Sequence, residues 1–471
     1  MDLFHDAVDR DEINPFVELL WEKGNAYEDQ VIAALNVSYL NLRIMDAPLR
    51  ARMTLEAMQR GEEMIYGGRI EADDLLGEPD LLKKQGAGYI PIDIKSGSGE
   101  EGSDDDEGRP KLDYAVQLAL YVDILGRMGF SARHQAYILD VHGEYVSYDL
   151  DSPRTRTGTE SLWQEYQSYL ATVRRVVNQT EETLPALAAS CKLCHWHSAC
   201  KNILKDSDDL TLIAELGRAK RDAMMSELPT VADLAECDPE AYIRGNKTVF
   251  SRIGPDTLRK FHRRAALLKD PNARPILLSP ITLPVFATEI FFDIEVDTMR
   301  DLCYLHGFIE RQNGDNSTER YFGFVMTDVT EDAEKTAFLH AWRYIKSKRP
   351  CAIYYYSKYE RTIWRKLQAK YPDVCTADDI EGLFDPNVTI DLYGDVVRSK
   401  TDWPTNDQSI KTLAKYLGFS WRDNNPSGAA SVQWFDQWAK SRSQQDMQRI
   451  LDYNEDDCRA TRVVLDEIRA L

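Results

Sequence analysis

Apolar residues recur at three- and four-residue spacing over residues 17–36 (VELLWEKGNAYEDQVIAALN), and this pattern predicts an amphipathic helix. Residues 111–129 and 160–178 predict two more. Between the first and second helices, residues 64–95 break into short runs punctuated by Gly, Asp and Pro, which read as strands joined by tight turns. Residues 207–236 predict two short helices joined by a tight turn, and a similar pattern returns over residues 251–268. A Pro-punctuated stretch, residues 271–284, leads into a strand at 288–296 (TEIFFDIEV), and this shift marks a boundary. Beyond it, residues 353–364 (IYYYSKYERTIW) predict an aromatic strand running into a helix, and residues 451–465 (LDYNEDDCRATRVVL) predict another helix.

The chain has 471 residues, 43% of them apolar, which is too many for one ordinary core and enough to fill two or three. No run approaches the roughly 20 apolar residues of a membrane span. The first residues, Met1-Asp2-Leu3-Phe4-His5-Asp6, lack the basic-then-apolar order of a secretion signal, so a cytoplasmic protein is expected. A formal charge of −21 argues against coating nucleic acid by bulk electrostatics, so any such contact must be local. Residues 100–107 (EEGSDDDE) read as a disordered acidic loop. Residues 244–269 invert the background, with eight Lys or Arg and one acidic residue.

In residues 88–97 (GYIPIDIKSG), Asp93 and Lys95 fall on one face of a strand while Ile92 and Ile94 fall on the other. A turn through residues 83–88 would return the chain as an antiparallel hairpin that sets Asp80 beside Asp93. Two carboxylates with a lysine suit metal-assisted hydrolysis: the acids hold Mg²⁺ or Mn²⁺ through hard oxygens, and the ammonium orients water or steadies charge on phosphate. Gln117 and Tyr121 stand four apart on one helical face. The order Gly24-x-x-x-Glu28, Asp80, Asp93-x-Lys95, Gln117-x-x-x-Tyr121 resembles the RecB-like branch of the PD-(D/E)XK nucleases, including the CRISPR-associated RecB-like exonucleases. That resemblance covers roughly residues 15–205. It implies that Glu28, Asp80 and Asp93 bind metal, that Lys95 acts on water, and that Gln117 and Tyr121 position the scissile strand.

Five of the eight cysteines are scattered singly, whereas Cys191, Cys194 and Cys200 have the close spacing of a site for tetrahedral zinc or an iron–sulfur cluster. RecB-like nucleases of this type close with a Cys-x-x-Cys-x5-Cys segment that, with one cysteine near the N-terminus, holds a 4Fe-4S cluster. Here no cysteine precedes Cys191. The expectation is therefore either a start upstream of Met1 or a fourth ligand from His195, His197 or His5.

Further along, Asp293 and Glu295 share a strand face, with Phe292 and Ile294 turned into a core. Tyr453 and Asp457 face the same way on a helix. With Glu360 between them in sequence, the set resembles the RNase H-like DEDD exonucleases of the branch whose third motif carries tyrosine. The resemblance implies a second Mg²⁺ or Mn²⁺ centre held by Asp293, Glu295, Glu360 and Asp457, with Tyr453 orienting water and digestion running 3′ to 5′. Glu360 stands where the family usually has Asp, and Asp391 is a spare carboxylate.

Residues 251–256 (SRIGPD) with their basic flanks look like a helix-hairpin-helix grip on phosphates, carried by Arg244, Lys247, Arg252, Arg259, Lys260, Arg263 and Arg264. The plainer alternative is a basic helix paired with acidic neighbours. The whole is expected to be α/β in three parts: residues 1–205, a restriction-endonuclease-like nuclease core closed by the cysteine group; 206–285, a helix-hairpin-helix-like connector; and 286–471, an RNase H-like exonuclease domain. The order resembles bacterial RecB-family nuclease proteins, some fused to helicases. This chain has no Gly-x-x-x-x-Gly-Lys-Ser/Thr phosphate loop, so single-stranded DNA or a helicase partner would have to supply an open strand. The rival readings are a nucleic-acid clamp with one or both centres inactive, and an exonuclease directed at RNA.

Overall fold

In a computed structural model of the chain, residues 8–102, 108–424 and 426–471 are described. Two compact units emerge: Glu18–Leu184, and residues up to Val17 together with Pro185–Leu471. His5 and the centre of the acidic run, residues 103–107, lie outside the described residues. The run's first two residues, Glu100–Glu101, are not loop but pair antiparallel with Arg109–Pro110.

The first unit is built from α1 (Pro15–Ala34), β1 (Leu40–Asn41), α2 (Ala47–Arg60), β2 (Met64–Tyr66), β3 (Leu81–Gln85), β4 (Gly88–Ile94), α3 (Leu112–Arg127), β5 (Gln135–Leu139), β6 (Tyr145–Asp149) and α4 (Leu162–Val177). Local signals set the helix ends. Asp46 caps α2 through Leu49 N, Gly61 ends it in the left-handed region, and Ser161 and Gln164 form a capping box on α4. The six strands lie in the order β1 to β6, with β1 parallel to β2 and β4 parallel to β5. The β3–β4 hairpin pairs Leu81 with Ile92 and Gln85 with Gly88, the expected antiparallel return.

β4 is buried along its whole length. One face, with Ile92 and Ile94, packs with Leu81, Ile32 and Met64. On the other, α3 brings Leu118, Tyr121 and Val122 into a core with Leu82, Tyr89 and Ile138. The face shared by Asp93 and Lys95 is therefore not an open strand surface. A helix covers it, and Asp93 is only 2% exposed.

In the second unit, α5 (His197–Asp206), α6 (Gly217–Met224), α7 (Val231–Glu236) and α8 (Pro255–Lys269) form a small helical body around Leu234, Leu258 and Phe261. A hairpin, Ile243–Arg244 with Lys247–Thr248, stands between α7 and α8. The pattern over 251–268 thus forms one helix, not a second pair. Gly254 and Pro255 begin it, Pro being suited to a first turn that has no use for its amide.

The rest of this unit contains β7 (Thr288–Asp297), β8 (Leu302–Gln312), β9 (Asp315–Val325), α9 (Glu331–Ser347), β10 (Ala352–Tyr355), α10 (Tyr359–Lys370), α11 (Ala377–Leu383), β11 (Thr389–Asp391), α12 (Ile410–Tyr416), α13 (Gly428–Ser441) and α14 (Gln444–Ala470). Its sheet runs β9-β8-β7-β10-β11, antiparallel across the first three strands and parallel across β7, β10 and β11. Alternation along β7 divides two cores. Phe292 packs with Phe338 and Trp364 from α9 and α10, and Phe291 lies in the core holding Phe435 of α13 and Ile450 and Val464 of α14. Asp293 and Glu295, in phase with Phe291, thereby meet α14.

Candidate active sites

In the first unit the hairpin register sets Asp80 next to Asp93. Asp80 Oδ2 accepts a hydrogen bond from Ile94 N at 2.7 Å, which pins the loop before β3 against β4. Burial, with Asp93 and Glu28 nearby, pushes the Asp80 carboxyl up to about 8. Lys95 Nζ lies 2.5 Å from Asp93 Oδ2 and over the Tyr114 ring. Burial works to lower the Lys95 pKa, but Asp93 and Asp80 outweigh it and the net direction is up. Glu28, on α1, is buried and held by the Arg43 guanidinium. Gln117 Nε2 donates to Tyr121 OH at 2.8 Å. Tyr121, expected to meet the scissile strand, is 4% exposed with its ring packed into the core, and its hydroxyl is shared between Gln117 and Glu78 O. Its ring fits because Gly77 has no side chain, since a Cβ there would lie 2.6 Å from the ring.

In the second unit, carboxylate oxygens of Asp293, Glu295 and Asp457 lie within 4.8 Å of one another. Glu295 is pushed up to about 8 by burial and by Asp457, and Asp293 well above the usual range by burial, Asp457 and Glu295. Glu360, at the start of α10, is buried and pushed up to about 8 chiefly by that burial, and its Oε2 has no hydrogen-bond partner. It stays outside the tight trio, though it is near enough to raise Asp293. Tyr453 is buried beside Asp457, as the four-residue spacing requires. Asp391 joins no ligand group, because its Oδ1 accepts from Ser357 N at 3.0 Å and Gly394 N at 2.9 Å.

Several neighbours of this centre escape a motif search. Lys411 Nζ lies 2.8 Å from Tyr453 OH and 3.3 Å from both Asp457 oxygens, and Trp421 Nε1 donates to Asp457 Oδ1 at 2.7 Å. Asn454 Nδ2 donates to Asp293 Oδ2 at 2.7 Å. Asn454 had a signal, being adjacent to Tyr453 in the helix. Lys411, Trp421 and, in the first unit, Arg43 had none, because their contacts join segments remote in sequence.

Residues 3–201 match a model of the PD-(D/E)XK nuclease superfamily, and residues 290–469 match a model of the RNase H superfamily. The chain carries one domain of each superfamily. Both are α/β nuclease folds, and together they make the protein a nuclease, a hydrolase of nucleic acid.

The PD-(D/E)XK match extends through the cysteine group. Ala188 N and Trp196 N each approach a sulfur, those of Cys191 and Cys194, at 3.4 Å, and Cys200 sits on α5 with its thiol raised by burial and by the other two. Asp11 N donates to His195 O at 2.7 Å, tying the N-terminal strand of chain to this knot. Sulfurs sharing one tetrahedral zinc stand about 3.8 Å apart. Among the described residues, these three form no set within 4.8 Å, alone or with His195 or His197.

The basic connector is largely neutralised by the chain itself. Arg264, expected on a phosphate-binding face, is 2% exposed and bonded to Asp402 and Glu215, so burial takes it out of reach. Arg263 pairs with Asp402, Lys260 with Glu215, and Arg259 with Glu240 and Asp256. Arg244, Lys247 and Arg252 stay exposed around the hairpin and the turn into α8, Arg244 donating to its own chain's carbonyls. No helix among the described residues is long and apolar enough to cross a membrane.

Proposed function

We propose that the protein is a Mg²⁺- or Mn²⁺-dependent exonuclease with two active centres, acting on DNA and favouring single strands, in repair, processing or defence. The carrying observation is the convergence of Asp293, Glu295 and Asp457, three hard-oxygen ligands from β7 and α14, two of them buried and Asp293 half-buried, with one ammonium beside them. Such a trio is repelled by its own charge and accepts either protons or a divalent cation. Glu360, with its unpartnered buried oxygen, completes the set. Divalent ions held there would supply water activation and charge stabilisation at the leaving oxygen. Tyr453 would orient the attacking water, while Lys411 holds the phenol and Asn454 holds Asp293. In the first centre Glu28, Asp80 and Asp93 would form the ligand set, although among the described residues their oxygens do not all lie within 4.8 Å of one another and Glu28 is held by Arg43; Lys95 would steady the reacting phosphate and Gln117 contact the strand.

We divide the chain at 1–205, 206–285 and 286–471 and assign phosphate contact in the connector to Arg244, Lys247 and Arg252. Cys191, Cys194 and Cys200 supply three corners of a 4Fe-4S cluster, with amides aimed at two of the sulfurs; no fourth sulfur joins them among the described residues. Iron and sulfide retained after anaerobic reconstitution, and lost on Cys194→Ser, would test this assignment. A partner helicase or a pre-opened strand provides the single-stranded end, and the protein works in the cytoplasm.

The test is degradation of end-labelled single-stranded DNA and RNA with Mg²⁺ or Mn²⁺ by wild type, Asp93→Ala/Lys95→Ala, Asp293→Ala/Glu295→Ala and the combination. Each double substitution is expected to remove one product pattern. Cleavage of RNA alone would reassign the substrate. A wild type that binds strands but cuts none, with or without reconstituted cluster, would make the protein a clamp, a reading favoured by Lys95 and Lys411 already pairing a carboxylate in each centre.

A further inference from the structure

Glu360 reaches its centre from a turn whose backbone is strained. β10 ends at Tyr355 and α10 begins at Tyr359, so three residues must redirect the chain. Ser357 does so with φ of 108°, outside the regions an L side chain ordinarily takes, and such a conformation persists only where its surroundings hold it. What holds it is Asp391. In the parallel register Tyr355 is paired with Asp391, which brings the carboxylate level with the end of β10. Its Oδ1 accepts from Ser357 N at 3.0 Å and from Gly394 N at 2.9 Å. A side chain at position 394 would crowd that carboxylate, a Cβ lying 2.7 Å from Oδ2, so the glycine leaves room for the clamp. Ser357 Oγ then accepts from Tyr359 N at 3.3 Å, starting the helix one residue before Glu360.

We infer that Asp391 is a positioning residue for the second centre: through Ser357 it fixes the turn that delivers Glu360 to Asp293, Glu295 and Asp457. This rests on the proposed role of Glu360 as a ligand and adds that its reach is set by a neighbouring strand. Asp391 acts here as a hydrogen-bond acceptor for two amides, a role the Asn side-chain oxygen can also fill.

The test uses the full-length chain with Asp93→Ala/Lys95→Ala to silence the first centre, and measures the Mn²⁺ concentration for half-maximal cleavage alongside Mn²⁺ binding in the absence of nucleic acid. Asp391→Ala is expected to weaken Mn²⁺ by about tenfold, with turnover at saturating Mn²⁺ largely kept, the loss typical of removing a group behind a ligand. Asp391→Asn should behave as wild type. Ser357→Gly, which removes the strain at the cost of one cap, should restore most of the Mn²⁺ affinity when added to Asp391→Ala, a rescue that general destabilisation would not show. Glu360→Gln reports on the underlying assignment. If Glu360→Gln weakens Mn²⁺ while Asp391→Ala does not, or if Asp391→Asn is as weak as Asp391→Ala, the positioning role is overturned and the centre stands. If Glu360→Gln leaves Mn²⁺ unchanged, the ligand role of Glu360 falls and the inference with it. Should Asp391→Ala not fold, Ser357→Pro, which cannot adopt positive φ, must weaken Mn²⁺ in its place or the inference fails.

Discussion

Opposite Asp293 in the β7–β8 ladder stands Gly307, and a Cβ there would lie 1.6 Å from Asn454 Oδ1. The missing side chain is what lets the Asn454 amide reach Asp293. Gly307→Ala should therefore destabilise the second unit by roughly 1–3 kcal/mol, the range for overpacking a filled site, as measured by denaturant unfolding. It should also weaken Mn²⁺ binding, whereas Gly126→Ala, with open space at its Cβ, should do neither. The carboxylates of this centre make a second prediction. Burial pushes Glu295 and Glu360 up to about 8, so the folded chain keeps protons that an unfolded chain releases near pH 4. That stability is complete below about pH 4 and is lost as pH rises through about 8. The melting temperature of metal-free protein, taken as the difference from Glu295→Gln/Glu360→Gln, should fall between those limits, and Mn²⁺ should flatten the fall. A difference that grows with pH would show carboxylates already ionised in the metal-free fold.

Helix α8 shows how an element's charge can mislead. Read along the chain, its arginines and lysines look like a phosphate grip, yet Arg264 and Asp402 are both buried and bonded to each other. Arg264→Ala should cost about 2–3 kcal/mol in unfolding measurements, because it removes the buried one of the two arginines on Asp402 and leaves only Arg263 paired with that carboxylate. Arg244→Ala/Lys247→Ala, on the exposed hairpin, should change stability by less than about 0.5 kcal/mol per site. It should instead lower the salt dependence of single-strand binding, each lost phosphate contact reducing the slope by about 0.7. Equal salt slopes for this pair and wild type would remove the hairpin from the nucleic-acid surface.

At the scale of the whole molecule, two compact units with separate cores should unfold in more than one step. Calorimetry is expected to resolve two transitions. Gly307→Ala should move one of them, and Asp80→Ala, in the other unit, should move the other. A single transition shifted by both substitutions would mean that the units unfold as one. Cleavage should divide along the same line, with each double substitution silencing its own centre and leaving the other's rate unchanged.

Much of this was already legible in the sequence. Helices at 15–34, 112–127 and 162–177 follow from apolar spacing, as does the middle of the helix at 444–470, legible over 451–465, and the β3–β4 hairpin follows from a turn between two short apolar runs. The strand alternation that pairs Asp293 with Glu295, and the helical spacing of Tyr453 and Asp457, are local periodicities, so one sequence suffices to read them. The structure alone decided which faces are covered. Asp93 is buried because α3, from a later segment, lies over β4, and Tyr121 turns inward because Gly77 admits its ring. It alone decided that Lys411 meets Asp457, that Arg264 spends its charge on Asp402, and that Asp391 holds Ser357. Periodicity reports on residues a turn or a strand apart, whereas these partners lie 34 to 138 positions away and meet only when the elements pack.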